Sequence, residues 1–525
     1  MSDRVPTIAR LDRAAMISRF DELQRTLAAQ WPLISSLNHE PHSVVVVPSI
    51  SLAVEVPEAI LRAYEERMLF LLLLLRQART RVIYVTSQPV LPEVVDYYLS
   101  LMPGIIPSQA RKRLFMTPVL DGTSRPLSEK ILARPRVLER IRSLIPDPRA
   151  CHLIPFVTTD LEQELAVRLG VPMYAADPAY FRFGTKSGGR RLFAEEGVAH
   201  PAGAEDLHSL PDIIGALARL RAQRPGLAAA VVKLNDAVSG QGNAIVDLRG
   251  LSAPGAPGEA GELERRVMAM RLEQEDGEIG RYLERFAEDG GIVEERLAGE
   301  AFASPSVQLR VTPAGDVQLL STHDQMLGGA SGQSYLGCIF PAAPEYAQAI
   351  SAMAARVGAR LAREGVIGRF ALDFVAVRDG GGAWKPYAIE INLRKGGTTH
   401  PYLTLEFLTD GRYDAERGRF LAPNGREKHY VASDHVESEA FRSLVPEDLF
   451  DIAMLRSLHY NQASQTGVVF HMISSVTERG RFGLTAVGDS RAHATELYER
   501  ARRELLDEAA RAGVVPERNS GTTSA

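Results

Sequence analysis

Between residues 44 and 175, short β-rich runs alternate with helical segments, and that alternation restricts the fold of this part of the chain more than any other property. The runs are Val44-Val-Val-Val-Pro48, Arg81-Val-Ile-Tyr-Val-Thr-Ser87, Leu114-Phe-Met-Thr-Pro-Val119, Leu153-Ile-Pro-Phe-Val157 and Val171-Pro-Met-Tyr-Ala175. Helical patterns at 11–30, 57–78, 91–101, 135–143 and 160–169 precede and separate them. Strand, helix and strand in repetition predict an open, mostly parallel sheet covered on both faces. Such a sheet can take a ligand at its carboxyl edge, but no Gly-x-Gly-x-x-Gly follows the first strand, so dinucleotide binding is not expected there.

At 525 residues the chain has room for about three domains. With a formal charge of -5 and no basic stripe interleaved with aromatics, nucleic acid is not an expected partner. The two cysteines, Cys151 and Cys338, are too few and too far apart for a disulfide framework or a thiolate metal site, which fits a reducing compartment. The apolar run from Met68 to Leu75 has only eight residues between Arg67 and Arg76, whereas a spanning helix needs about 20. It is expected to be buried, with no membrane contact. The charged N-terminus, with Asp3, Arg4, Arg10 and Asp12, does not resemble a signal peptide, so a cytoplasmic location is expected.

Chemistry concentrates in a second region. Gly368-Arg-Phe-Ala-Leu-Asp373 and Tyr387-Ala-Ile-Glu390-Ile-Asn392-Leu-Arg394 are apolar strands carrying polar residues, joined by the turn-rich stretch Arg378-Asp-Gly-Gly-Gly-Ala-Trp384. An antiparallel hairpin would bring Asp373 near Glu390, and strand alternation puts Glu390, Asn392 and Arg394 on one face. Two carboxylates and a side-chain amide oxygen are hard donors that suit Mg²⁺. The same spacing also fits a half-exposed hairpin with polar residues facing water.

Upstream, Lys186 lies near the start of a helix that stops at Gly197, and Lys233 ends a strand that precedes Ser239-Gly240-Gln-Gly242-Asn243 and a second strand. A lysine beside N–H groups freed by glycines is a phosphate grip, although a hairpin loop without a ligand has the same pattern. Residues 250–261, rich in Gly, Pro and Ala, read as a flexible insertion, and 263–288 reads as helical. Gly291-Ile-Val-Glu294-Glu295-Arg-Leu-Ala-Gly299-Glu300 follows, then a hairpin turning at Thr312 to Asp316. After Asp410 come a strand pair at 466–474 and 483–487, a helix at 490–510, and a polar tail from Gly513 that reads as disordered. His323, Asp324 and Gln325 read as strand-end turn chemistry or an acceptor pocket. His429, Asp434, His435 and His471 show no zinc-ligand spacing and read as surface or core residues.

In this order the elements resemble the ATP-grasp superfamily. Lys186 before Leu-Phe-Ala-Glu-Glu-Gly-Val matches the lysine at the start of the clamp, Lys233 the strand lysine before the glycine loop, and Glu294 and Glu295 the hinge acid pair. Asp373, Glu390 and Asn392 match the metal residues, and Arg394 the arginine that contacts phosphate or acyl phosphate. Glu300 directly follows Gly299, whereas many members place a ribose-binding glutamate two residues beyond the glycine. Within the superfamily, Leu-Asn-Asp-Ala-Val-Ser-Gly-Gln-Gly-Asn, Ser321-Thr-His-Asp-Gln, Glu390-Ile-Asn-Leu-Arg-Lys-Gly-Gly-Thr-Thr-His-Pro401 and Lys428-His-Tyr-Val-Ala-Ser-Asp434 are similar to the pheganomycin-type peptide ligases.

The resemblance implies an α/β fold with an α+β clamp. An N-terminal open parallel sheet domain (1–180) precedes a two-part ATP-grasp domain (181–410, lid half 181–292, palm half 293–410) and a small C-terminal α/β region (411–525). It implies an ATP-dependent, ADP-forming ligase that joins a small-molecule carboxylate to the amine of an amino acid or peptide through an acyl phosphate. ATP would be bound by Lys186, Lys233, Ser239, Gly240, Gly242, Asn243, Glu294, Glu295 and Glu300, and Mg²⁺ by Asp373, Glu390 and Asn392. Arg394 and Lys233 would be catalytic, and Thr398, Thr399 and His400 would face the substrate. A kinase on the same clamp and a non-catalytic ATP-binding scaffold are the alternatives, and the oligomeric state, a homo-oligomer included, is left open.

Overall fold

The computed structural model describes residues 12–35, 40–52, 57–237, 240, 242–273, 277–328 and 334–513. Four parallel strands, β1 (His42–Val47), β2 (Thr80–Thr86), β3 (Leu114–Pro118) and β4 (Cys151–Pro155), form the N-terminal sheet in the order β3-β2-β1-β4. β1 is buried along its whole length, as a continuous valine run between two helical layers should be. The expected fifth strand at Val171 reduces to one bridge, Leu153 to Met173. Pro172 has no N–H to extend the ladder and offers only its carbonyl, which accepts from Leu153 N at 2.8 Å. Cys151 and Cys338 are both buried and free.

The helical pattern at 57–78 divides into an α-helix, Glu58–Glu66, and a 3₁₀ segment, Leu69–Arg76. The leucine run has no polar face, and six of its residues are buried. It lies between the N-terminal sheet and the rest of the molecule, where Phe70 stacks on Phe407 at 6.5 Å and Arg76 donates to Phe407 O and Asp410. Among the described residues, no helix is long and apolar enough to cross a membrane.

The lid is an antiparallel sheet of β5 (Gly203–Leu207), β6 (Ala229–Leu234), β7 (Asn243–Asp247), β8 (Arg271–Leu272) and β9 (Gly291–Glu295), ordered β5-β9-β6-β7-β8. The single helix expected over 263–288 is two, Glu259–Met268 and Ile279–Asp289. Between them β8 leaves the helical path to pair with β7. The flexible reading of 250–261 fails at its end, because Glu259 opens the first of these helices, pairs with Arg221 and accepts from Gly255 N at 2.7 Å.

The palm is built from β10 (Ala301–Ala303), β11 (Pro305–Val311), β12 (Val317–Gly328), β13 (Ser334–Phe340), β14 (Gly368–Arg378) and β15 (Lys385–Asn392). A long helix, Pro344–Arg363, buries Ile350, Ala354, Val357 and Leu361 against this sheet. A small hairpin, β16 (Arg412–Asp414) with β17 (Arg419–Leu421), follows. The strands beyond it, β18 (His429–Glu437), β19 (Gly467–His471) and β20 (Arg481–Gly488), do not form a sheet of their own. They continue the palm in the order β10-β14-β11-β12-β13-β18-β20-β19, with β15 on the far side of β14. The helix Arg491–Gly513 packs on β18 and β20. The tail after residue 513 lies outside the described residues.

Candidate active site

The β14–β15 hairpin sets Asp373 directly opposite Glu390, with a bulge immediately after Asp373. Asp373 accepts from Gln325 Nε2 at 2.7 Å and from Asn392 Nδ2 at 2.9 Å. Glu390 pairs with Lys186, which reaches it from the first turn of the helix Lys186–Glu195. Arg394 follows two residues after β15, close enough to feel both carboxylates. Burial opposes the charge on both acids. At Asp373 burial and the neighbouring Glu390 charge push the carboxyl up. At Glu390, Lys186 with Arg394 and Lys233 outweighs burial and holds the carboxylate down. Like charges so close favour a divalent cation, which would relieve the repulsion.

Lys186 is placed by local chemistry. Thr185 caps its helix, accepting from Gly188 N at 3.0 Å. Asn235, one residue beyond β6, accepts from Lys186 N through its carbonyl at 3.2 Å and from Ser187 N through Oδ1 at 3.0 Å. The helix start is thereby tied to the strand that carries Lys233. Lys233 pairs with Glu294 on neighbouring β9 at 2.5 Å, and the other Glu294 oxygen lies 3.3 Å from Arg190. All three side chains are buried.

Glu295 points to the opposite face of β9, where it accepts from Ala202 N at 2.8 Å. Glu300 is exposed and accepts from Gly380 N at 3.0 Å, so its carboxylate lies at the β14–β15 turn. Gly240 and Asn243 close the β6–β7 turn, with Asn243 N donating to Gly240 O at 2.8 Å, and Gly240 has φ +78°. Ser239 lies outside the described residues. A Cβ on Gly242 would stand 2.4 Å from Ala237 Cβ and 3.1 Å from Leu234 Cβ. Gly242→Ala is therefore expected to displace this turn and raise KM for ATP by about tenfold while kcat changes less. An unchanged KM would separate the turn from nucleotide binding.

Thr398 and Thr399 are buried, and both engage Gln308: its Nε2 donates to Thr398 O at 2.8 Å, and Thr399 Oγ1 donates to its Oε1 at 3.1 Å. His400 faces Asp434 and His471. Burial pushes the His400 imidazole down to about 4. His323, Asp324 and Gln325 lie inside β12 rather than at a strand end, and of the three only Gln325 reaches the carboxylates. His323 meets Tyr430 OH at 2.6 Å, and Asp324 is taken by Tyr346, Ala343 N and Arg491.

Several neighbours carry no sequence signal of their own. Arg67 comes from the N-terminal region, lies over the Tyr64 and Phe156 rings and binds Asp434 at 3.0 Å. Asn235, immediately after a strand, lies in the string Leu234 to Asn243 that carries the family resemblance, although that resemblance assigns it no role. A cavity of about 630 Å³ opens beside Arg62, Ser87, Gln88, Ser474 and Arg479, at the carboxyl edge of the N-terminal sheet.

Sequence comparison places this geometry in a family. Residues 179–276 and 278–416 match the family described as IQCH-like, ATP-grasp, and residues 448–501 match the PGM1 C-terminal domain. An L-propargylglycine--L-glutamate ligase from Streptantibioticus cattleyicolor is 31% identical over 456 residues, 85% of this chain and 90% of that protein. IQ motif-containing protein H from Danio rerio is 27% identical over 412 residues, which cover 70% of this chain and 38% of that longer protein. Among solved structures, the biotin carboxylase–beta-gamma-ATP complex from Campylobacter jejuni superposes with a TM-score of 0.52 at 12% identity, covering 90% of this chain and 96% of that one. That likeness is one of fold. With a ligase matched over nearly its full length and the clamp elements in order, the chain belongs to the ATP-grasp family.

Proposed function

We propose that this enzyme joins the carboxylate of one small molecule to the amine of an amino acid or peptide, with ATP converted to ADP and phosphate. The observation that carries the reading is the convergence of Lys186, Glu390, Asp373 and Arg394 at the meeting of lid and palm. Its similarity to a protein named as a ligase of two amino acids directs the proposal to substrates of that class.

A free carboxylate does not condense with an amine at neutral pH because its oxygen is a poor leaving group. Transfer of the γ-phosphoryl group corrects this: the carboxylate oxygen attacks phosphorus, ADP departs, and an acyl phosphate results. Such a transfer needs positioning and charge neutralisation more than covalent help. Lys186 and Lys233 supply cations to the phosphates, with Glu294 and Arg190 fixing Lys233. Gly240, Gly242 and Asn243 cover them, whereas Glu295, on the opposite face of β9, and Glu300, at the β14–β15 turn, stand apart from this group and take no part in it. Asp373, Glu390 and Asn392 offer the oxygen donors that Mg²⁺ takes, and bound there it would neutralise phosphate charge. Arg394 holds the carboxylate and then the oxyanion formed when the amine attacks the carbonyl carbon. Phosphate leaves as the C–N bond is completed. Thr398, Thr399 and His400 shape the acceptor side, with Arg67 beyond them.

Incubation with ATP, Mg²⁺ and pooled amino acids and peptides tests the reaction class. ADP release that depends on both an acid and an amine, with a new amide mass, is expected. A stable phosphoester formed without any amine would identify a kinase instead.

A further inference from the structure

His400, Asp434 and His471 come from three separate elements, the helix Thr399–Thr409, β18 and the end of β19, and meet in a buried cluster. Asp434 Oδ1 lies 2.9 Å from His471 Nε2 and 3.1 Å from His400 Nε2. The imidazole rings pack edge to face at 4.4 Å. All three donor atoms lie within 4.8 Å of one another. We propose that this cluster is a binding site for one divalent transition-metal ion of the Zn²⁺ class, separate from the carboxylate pair on the β14–β15 hairpin.

Three features favour an ion over a purely hydrogen-bonded cluster. First, His400 Nε2 is buried and has no hydrogen-bond partner, although Asp434 Oδ1 is near; its direction does not suit a hydrogen bond, and a buried polar atom left this way is costly. Second, two donors about 2.0–2.2 Å from one tetrahedral ion stand roughly 3.3–3.6 Å apart, so outward shifts of a few tenths of an ångström from the present 2.9 and 3.1 Å between Asp434 Oδ1 and the imidazole nitrogens admit an ion. Third, Asp434 is held from outside. Arg67 binds its other oxygen at 3.0 Å and Arg481 Nε donates to its backbone carbonyl at 2.9 Å, so Oδ1 is left facing the histidines. Outer contacts of this kind orient the ligands of a metal centre.

Donor chemistry sets the ion. Two imidazole nitrogens and one carboxylate oxygen suit Zn²⁺ and its transition-metal neighbours, whereas Mg²⁺ requires oxygen. Three protein ligands leave a coordination position open. The ion would join the palm helix to β18 and β19 and, through Arg67, to the N-terminal region.

Co²⁺ is the probe. The full chain, stripped by a chelator, is titrated with Co²⁺ and its visible ligand-field bands are followed. One Co²⁺ per chain is expected, displaced by Zn²⁺ but not by excess Mg²⁺. His400→Gln and His471→Gln should each weaken it by at least about 100-fold, since even outer-shell losses cost 10–100-fold, and Glu390→Gln should leave it intact. No band in the wild-type chain, equal affinity in both histidine variants, or loss of the band with Mg²⁺ or in Glu390→Gln would overturn the proposal. Should the histidine variants not fold, the wild-type chain decides: a one-to-one rise in melting temperature with Zn²⁺ supports the site, and no shift refutes it.

Discussion

Replacing Glu390 with Gln will reduce ADP formation by at least about 10³-fold with the fold retained, because one substitution removes the charge opposite Asp373 and the partner of Lys186. Lys233→Ala should lose as much. Its ammonium is buried against Glu294, which keeps Arg190 as a partner when Lys233 is removed, so the lid core survives. Steady-state ADP release and circular dichroism on both variants check this. Full turnover in either one would remove the proposed site. Loss of turnover together with loss of structure would show only that the pair holds the fold, and a milder Glu390→Asp variant, which keeps the charge, would then separate the two roles.

The stability contributed by two buried glutamates will fall as pH rises from about 5 to 7, the opposite of the usual carboxylate behaviour. Glu65 and Glu66 end the helix Glu58–Glu66 inside the molecule, where burial pushes both carboxyls from 4.5 up to about 7. Ser87 donates twice to Glu65 and Ser474 N donates once to Glu66, which does not fully offset that burial. The sign follows from proton counts. Between the two values the folded chain keeps protons that the unfolded chain releases, so stability is fully present below 4.5 and lost as pH passes 7. Each group contributes a loss on the order of 3 kcal/mol. Glu66→Gln tests one of them, since the Glu66 Oε1 replaced by the amide has no hydrogen-bond partner to lose. Urea unfolding from pH 5 to 8.5 should show this variant gaining on the wild-type chain as pH rises. A constant difference across that range would refute the account.

Much of the site was legible because its residues lie in short strings with a local period. Asp373, Glu390, Asn392 and Arg394 fall on two strands joined by a six-residue turn, and the register pairs Asp373 with Glu390. Lys186 and Lys233 stand at the start of a helix and the end of a strand, positions that flanking threonine and glycine residues mark. Local pattern fails where tertiary contacts decide. The leucine run 69–75 is expected to be buried, but its 3₁₀ geometry arises where it packs between the N-terminal sheet and the helix Thr399–Thr409. The helix at 263–288 breaks because β7 has a free edge for Arg271 and Leu272 to pair with.

The sequence by itself determined the parallel N-terminal sheet, the clamp strands and the carboxylate hairpin, since periods of two and 3.6 and the residues that cap or turn the chain are local properties. Only the tertiary structure joined β18, β19 and β20 to the palm sheet and brought Arg67, His400, Asp434 and His471 together across more than 400 residues of chain. No spacing announces such a cluster. Its donors meet because three elements pack on one another, and packing is set by the shape and burial of many side chains at once.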